Sequence, residues 1–275
     1  MRPRIRFALC VLLLAVLPSI ASAFPAEWPQ AYLDALADTA RDATPDKVSR
    51  DLVPILPGEP LVNWDAAGKR VLVATWTDDS FYPVHYKVGD TVTVSAAHLI
   101  WVAVPDELKS RIASTAFPAD DLALRNKQLN GMPPDANKTL YVEFWARPID
   151  LFRPCPDPEI TDYEALMGFP DNAYATVDPL YRDWFDGLRE ISYTSDTAHP
   201  WSRLGYTYDW GNAYNHFGVS EYVISADATV EIASMTPTEE YLPVSPAVID
   251  CGRSSATPGD RIVIPACAPI PPPPE

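Results

Sequence analysis

The sequence has 275 residues, and its 37 acidic side chains outnumber its 21 basic ones to give a formal net charge of −16 at neutral pH. This excess of negative charge argues against nucleic acids and anionic lipid surfaces as partners, because both would be repelled. It is compatible with metal cations, basic partners or neutral sugars.

The first residues have the three parts of a secretory signal peptide. A basic segment with three arginines precedes an apolar run over residues 7–17, and residues 21–23 read Ala-Ser-Ala, as at a cleavage site. The apolar run is shorter than the roughly 20 residues that span a bilayer. We therefore predict a signal peptide over residues 1–23 and a secreted or periplasmic chain with no membrane span after cleavage.

The chain that follows begins with a helical pattern over residues 29–43, which Pro45 stops. A β-hairpin is predicted over residues 61–77, with its turn at 65–68. The second strand of this hairpin carries apolar side chains on both sides. We therefore expect a sheet that is covered on both faces.

Strands are next predicted around residues 90–96 and 98–105. Pro105 is suited to the first position of a helix, and a second helix runs from about Asp120 to Gly131, where glycine is suited to the C-terminal end. Another strand covers residues 138–147.

The rest of the chain starts with a proline-rich loop of about thirty residues, a length that indicates function or disorder. Asp178 then caps a helix over residues 180–190, and three strands follow, the last two joined by a tight turn at Asp227. Together these elements predict an α+β fold, a single domain with a mixed, mostly antiparallel sheet packed by several short helices. We place this domain at residues 24–235 and a proline-rich C-terminal extension at 236–275.

Three cysteines remain after export: Cys155, Cys251 and Cys267. An oxidising compartment favours pairing, and an odd number leaves one cysteine over. Cys251 and Cys267 enclose a short loop in the extension, so we predict a disulfide between them. Cys155 would then be free or would compete for one of the two.

Acidic side chains cluster in the proline-rich loop, where Asp157, Glu159 and Asp162 lie close together in the sequence. Carboxylate oxygens on a stiff loop are suitable ligands for calcium, so these three are the candidate metal ligands. The alternative is that they are solvated surface charges.

Aromatic residues are concentrated in residues 200–224. On a strand, Tyr206, Tyr208 and Trp210 share one face and Asp209 lies on the other. Aromatic rings beside planar polar groups suit a carbohydrate-like ligand. The predicted ligand contacts are Arg203, Tyr206, Tyr208, Asp209, Trp210 and Asn212.

Glu221 is the candidate catalytic acid, because it shares its strand face with Val219 and Val223. A carboxylate among valines needs a hydrogen bond, a counter-ion or a proton. His216, in the preceding connection, is the candidate acid–base partner. The alternative is a core position in which Glu221 pairs with Arg203 or Arg147.

Three segments carry a resemblance to known proteins: LIWVAVPDELK, EFWARPIDLFRPCPDPEITD and RLGYTYDWGN followed by GVSEYVI. They resemble a family of exported bacterial proteins without assigned function, which implies one continuous domain and supplies no catalytic residues. The order Arg147, Ser195, Glu221 is similar to the arginine–serine–glutamate order of ADP-ribosyltransferase-like folds. That resemblance implies that Glu221 holds the nicotinamide ribose of NAD, Arg147 the phosphates, and Ser195 the wall of the cleft.

Three functional hypotheses remain open. The leading one is an exported protein that binds a small, carbohydrate-like or cationic ligand without converting it. The second is a secreted NAD-processing or ADP-ribosyltransferase-like enzyme that uses Glu221. The third is a non-catalytic envelope or partner-binding protein.

Overall fold

The structure is a computed structural model that describes residues 27–114, 121–171, 177–194 and 197–243. The predicted signal peptide, Ser195 and the predicted disulfide between Cys251 and Cys267 lie outside these residues. Among the described helices, none has the length and apolar character needed to cross a membrane.

The described residues form an α+β domain with one eight-stranded antiparallel sheet, which confirms the predicted fold class. The strands are β1 (Val71–Thr77), β2 (Thr91–Thr93), β3 (Ile100–Ala103), β4 (Leu140–Ala146), β5 (Leu151–Phe152), β6 (Tyr206–Tyr208), β7 (Phe217–Ile224) and β8 (Thr229–Pro237). The helices are α1 (Gln30–Thr39), α2 (Tyr82–His85), α3 (Pro105–Ala113), α4 (Leu122–Leu129), α5 (Pro179–Ile191) and α6 (Thr238–Tyr241).

The strands lie in the order β2-β8-β4-β1-β3-β7-β5, and β6 also pairs with β7. One edge of β7 pairs with β3, and its other edge pairs with β6 near its start and with β5 near its end. β7 is therefore an inner strand, flanked by segments that are far apart in the sequence.

Both faces of the sheet are covered, as the apolar character of β1 predicted. On one face, Val73 and Phe144 belong to a large buried cluster that includes the segment around Val53. On the other face, Trp76 and Tyr141 pack with apolar residues of α3, α4 and α6. This second face carries the candidate site.

Single residues in the sequence correctly marked where two helices begin. Pro105 occupies the first turn of α3, and the Asp178 carboxylate accepts a hydrogen bond from the Leu180 backbone amide at 2.8 Å, which caps α5. In the predicted hairpin, the turn at Asp65 forms, but the first arm is reduced to a bridge between Trp64 and Val71.

The domain extends past the predicted boundary at residue 235. β8 continues to Pro237, and α6 then returns Tyr241 to the core. The Tyr241 ring stacks on Tyr141 with centroids 4.3 Å apart, and the Thr238 hydroxyl accepts a hydrogen bond from Trp76 Nε1 at 2.8 Å. The prolines of this region made it resemble an extension, but its polar and aromatic side chains bind it to the sheet.

Candidate functional site

A row of residues crosses the second face of the sheet. Glu143 of β4 lies opposite Ala74 of β1, Ala74 lies opposite Ala103 of β3, and Ala103 lies opposite Glu221 of β7. Directly opposed residues in antiparallel strands project to the same side. Because alanine is small, the two central positions leave a depression between larger neighbours.

Two cavities, of about 310 and 110 Å³, adjoin this depression at Glu221. A third, of about 540 Å³, lies beside Trp76 and Trp101 and extends to the opposite face of the sheet at Tyr82. Trp101 and Lys138 contribute to the walls of all three. The 310 Å³ and 110 Å³ cavities also share Glu221, and the 110 Å³ and 540 Å³ cavities share Trp76. We call the three together the tryptophan groove.

The 310 Å³ cavity combines polar and aromatic residues. Besides Glu221, its walls include His199, Asn130 and the backbone around Gly131. Trp201 closes one side, with its ring edge-on to Trp101 at a centroid distance of 6.0 Å. The Trp201 Nε1 donor is buried and has no hydrogen-bond partner within the described ranges.

Glu221 has no counter-ion in the described part of the chain. It is half-buried, and its Oε2 atom is closed off from solvent without a hydrogen-bond partner there. Burial raises the pKa of this carboxyl group to about 8. Glu221 therefore carries a proton at neutral pH and can donate a hydrogen bond.

The arginines expected to neutralise Glu221 are engaged elsewhere. The Arg203 guanidinium donates to the backbone carbonyls of Thr39, at 2.9 Å, and of Arg41. Arg147, which is largely exposed, pairs with the buried Asp150 at 2.6 Å. The alternative in which Glu221 is one half of a core ion pair with either arginine is therefore wrong.

Burial also shifts the other titratable groups of the groove. It lowers the pKa of His199 and favours the neutral imidazole. Burial likewise lowers the pKa of Lys138, although the charge of Asp78 acts in the opposite direction. The Lys138 ammonium donates to the Trp76 carbonyl at 2.8 Å, which fixes it on the wall.

His216 lies away from Glu221. Its ring stacks on Tyr208 with centroids 4.6 Å apart and planes at 15°. Both residues line a separate, open cavity of about 860 Å³ between α1 and the connection from β6 to β7. His216 lines none of the three cavities of the tryptophan groove, so the predicted Glu221–His216 pair is not assembled.

The predicted ligand contacts in β6 and beside it are mostly structural. Asp209 accepts two hydrogen bonds from Arg125, at 2.7 and 2.6 Å, and both side chains are buried. Trp210 donates from Nε1 to the Met132 carbonyl at 3.0 Å in an aromatic cluster. The Asn212 side chain accepts backbone amides in an exposed turn.

The two tyrosines of β6 have mixed roles. The Tyr206 hydroxyl donates to the Lys47 carbonyl at 2.9 Å, and the Tyr208 hydroxyl donates to Asp38 Oδ2 at 3.0 Å. Both rings therefore anchor the region around α1. The two residues also contribute to the 310 Å³ cavity, where Thr207 accompanies them.

The ADP-ribosyltransferase-like arrangement is not assembled in the described residues. Arg147 lines none of the three cavities that form the tryptophan groove, and its guanidinium is committed to Asp150. Glu221 and Arg147 therefore share none of the cavities of the tryptophan groove.

The acidic loop does not form a cation site. Asp162 pairs with the buried Arg153 at 2.5 Å, and the Glu159 carboxylate accepts the backbone amide of Thr161 at 3.1 Å. Within the described ranges, no group of three or more histidine, cysteine or acidic side chains could hold a metal ion. The calcium hypothesis for Asp157, Glu159 and Asp162 is therefore not supported.

Cys155 lies beneath the same loop as a free, buried thiol. It donates to the Asp157 carbonyl at 2.9 Å, and the Tyr181 hydroxyl donates to the Cys155 carbonyl at 2.6 Å. Burial raises the pKa of this thiol well above its usual value. It is consequently unsuited to nucleophilic chemistry.

Sequence reasoning missed most residues of the groove, among them Trp101, Lys138, His199 and Trp201. One local signal was present, because β1 and β3 each place an alanine and a tryptophan two positions apart on the same face. When two such strands pair, the alanines leave a depression on the sheet face beside the tryptophan rings.

No protein-family model matches this chain, and no curated protein or solved structure is significantly similar to it. The resemblance to exported bacterial proteins therefore stays a prediction. Function has to be inferred from the tryptophan groove.

Proposed function

We propose that this protein is exported and binds a small, neutral, carbohydrate-like ligand in the tryptophan groove. The observation that carries the proposal is that Glu221 lines the groove beside Trp101 and Trp201, yet its Oε2 atom has no partner in the described part of the protein. A buried polar atom without a partner is costly, and a ligand hydroxyl group would supply one.

The charge state of the groove favours a neutral ligand over a cationic one. A cation would have to ionise Glu221, and burial opposes that ionisation. A hydroxyl group can accept a hydrogen bond from a protonated carboxyl group and can also donate one, and a sugar carries several such groups. The tryptophan rings supply flat apolar surfaces for the C–H faces of the same ligand.

The small number of carboxyl groups in the groove favours binding of a sugar over its hydrolysis. Most glycoside hydrolases use a pair of carboxyl groups on either side of the bond they cleave. Among the described residues, Glu221 is the single carboxyl group that lines the groove. The groove is therefore better suited to holding a sugar than to hydrolysing it.

The proposal is tested by titrating the protein with glucose, galactose, mannose, N-acetylglucosamine, NAD and calcium, followed by calorimetry and tryptophan fluorescence. We expect binding of at least one sugar, which Glu221→Ala weakens by about tenfold or more. Glu190→Ala, the same change at an exposed position of α5, is the matched control and should bind normally. Binding of NAD or calcium alone, or equal sugar binding by Glu221→Ala, would overturn the proposal.

A further inference from the structure

We infer that the tryptophan groove accepts an extended, neutral oligosaccharide of about three units or more, rather than a single sugar. This inference rests on the proposed function and specifies the class of ligand. It is carried by the continuity of the three cavities, by the positions of the aromatic rings and by the distribution of charge.

The three cavities share walls from end to end. Trp101 lines all three, and the 110 Å³ cavity shares Glu221 with the first cavity and Thr75 and Trp76 with the third. It is too small for a ligand of its own, because ligand pockets usually measure about 300 to 1,000 Å³. We interpret it as the passage that joins the two larger cavities.

Aromatic rings occur along the whole length of this path. Trp201 and Trp101 form a corner at one end, Trp76 lies in the middle, and Phe81 stands at the far end. Phe81 is 49% exposed at the start of the short helix α2. Core packing does not account for this exposure, whereas the outermost unit of a bound chain would cover the ring.

The polar residues of the far cavity point to the same class of ligand. Its walls carry hydroxyl groups of Thr77, Thr93 and Ser95, together with the exposed His98. No carboxylate or arginine is among the described residues that line this cavity. A cationic chain would find no counter-ion there, and the Lys138 ammonium already donates to the Trp76 carbonyl. A chain of sugar hydroxyl groups would find donors and acceptors.

The test compares gluco-, manno- and chito-oligosaccharides of one to six units, with affinity measured by calorimetry. For the series that binds, we expect affinity to rise about tenfold or more from one unit to four and then to level off. Phe81→Ala should remove this gain for long chains and leave the affinity for the single sugar unchanged. Val84→Ala, a change at a 68% exposed residue of the same helix that lines none of the three cavities, is the matched control.

The outcomes separate this inference from the proposed function. Glu221→Ala should weaken chains of every length, because Glu221 lines the part of the groove shared by all of them. If single sugars bind as tightly as chains and Phe81→Ala has no effect, the oligosaccharide inference is wrong and the proposed function stands. If no sugar of any length binds, the proposed function itself fails. If a peptide of residues 269–275, which is proline-rich, binds where no oligosaccharide does, the groove recognises polyproline and both are overturned.

Discussion

Ala103 of β3 lies directly opposite Glu221 of β7, so one of the smallest side chains of the sheet stands beside its most isolated carboxyl group. Both residues line the 110 Å³ cavity in the middle of the groove. The space at Glu221 therefore depends on the size of a residue on a neighbouring strand. This relationship leads to the first of four predictions.

We predict that Ala103→Leu abolishes ligand binding, because the larger side chain fills the middle cavity. Overpacking a buried position costs about 1–3 kcal/mol, so the domain should remain folded. Ala113→Leu, the same change at an exposed position of α3, is the control. Calorimetry and thermal unfolding measure the two effects, and full sugar binding by Ala103→Leu would contradict the placement of the site.

The second prediction concerns the pH dependence of stability. The pKa of Glu221 is raised from 4.5 to about 8, so between these values the folded state holds a proton that the unfolded state has released. Folding then becomes less favourable as pH rises, by up to about 1.4 kcal/mol per pH unit. The glutamine in Glu221→Gln has no proton to release. The free energy of unfolding of this variant, relative to that of the wild type, should therefore increase from pH 5 to pH 8.

Urea unfolding at pH 5, 6, 7 and 8 measures this difference. A second buried acid, Glu107, has a pKa of about 7 and gives both proteins the same additional slope, which cancels in the comparison. Glu190→Gln, at an exposed position of α5, should run parallel to the wild type. Parallel curves for Glu221→Gln and the wild type would show that Glu221 ionises normally.

The third prediction separates structure from function at Asp209. Its buried pair with Arg125 has side chains that are only 3% and 8% exposed. Removing one partner leaves an uncompensated buried charge, so Asp209→Ala should lose about 3–5 kcal/mol of stability. The double variant Arg125→Met, Asp209→Leu should recover most of that loss, and equal stability of the single and double variants would count against a buried ion pair.

A fourth prediction concerns Gly205, whose carbonyl accepts the Glu221 backbone amide at 2.9 Å. Gly205 has φ +73°, and a Cβ atom there would lie 2.4 Å from Cδ of the buried Arg153. Both the backbone angle and the contact oppose a side chain, so Gly205→Ala should destabilise the domain by roughly 2–4 kcal/mol.

Gly187 provides the matched control for that substitution. It lies within α5 with open space around it, so Gly187→Ala should stabilise the domain by about 0.5–1 kcal/mol. Thermal unfolding of the two variants measures both changes. A mild effect at Gly205 would mean that Arg153 moves aside easily.

The sequence correctly predicted the features that depend on residues close together in the chain. Pro105 and Asp178 marked helix starts, and the alternation in β1 indicated a sheet covered on both faces. The predicted pairing of His216 with Glu221 was wrong, although the two residues are only five positions apart. His216 lines the separate cavity beside α1.

What the sequence could not predict depends on pairing between distant strands. Glu221 meets Ala103 and Trp101 only because β7 lies beside β3, and nothing within either strand specifies that neighbour. His199 and Trp201 reach the groove through an irregular segment with no periodic pattern. The ion pairs of the buried Arg125 and Arg153 could not be predicted either, because tertiary packing brings each arginine to its carboxylate.

The row from Glu143 to Glu221 also fixes a distance between two acids. Three strand spacings separate them, which amounts to about 14 Å at about 4.8 Å per spacing. Carboxyl groups that cleave a glycosidic bond stand about 5 to 9.5 Å apart, so these two cannot act on the same bond. Tyr241 and Ser234 each hold Glu143 by a hydrogen bond of 2.8 Å, which keeps it at its own end of the row. The repeat distance of the sheet thus keeps Glu143 and Glu221 from forming a hydrolytic pair, in agreement with the proposed binding without conversion.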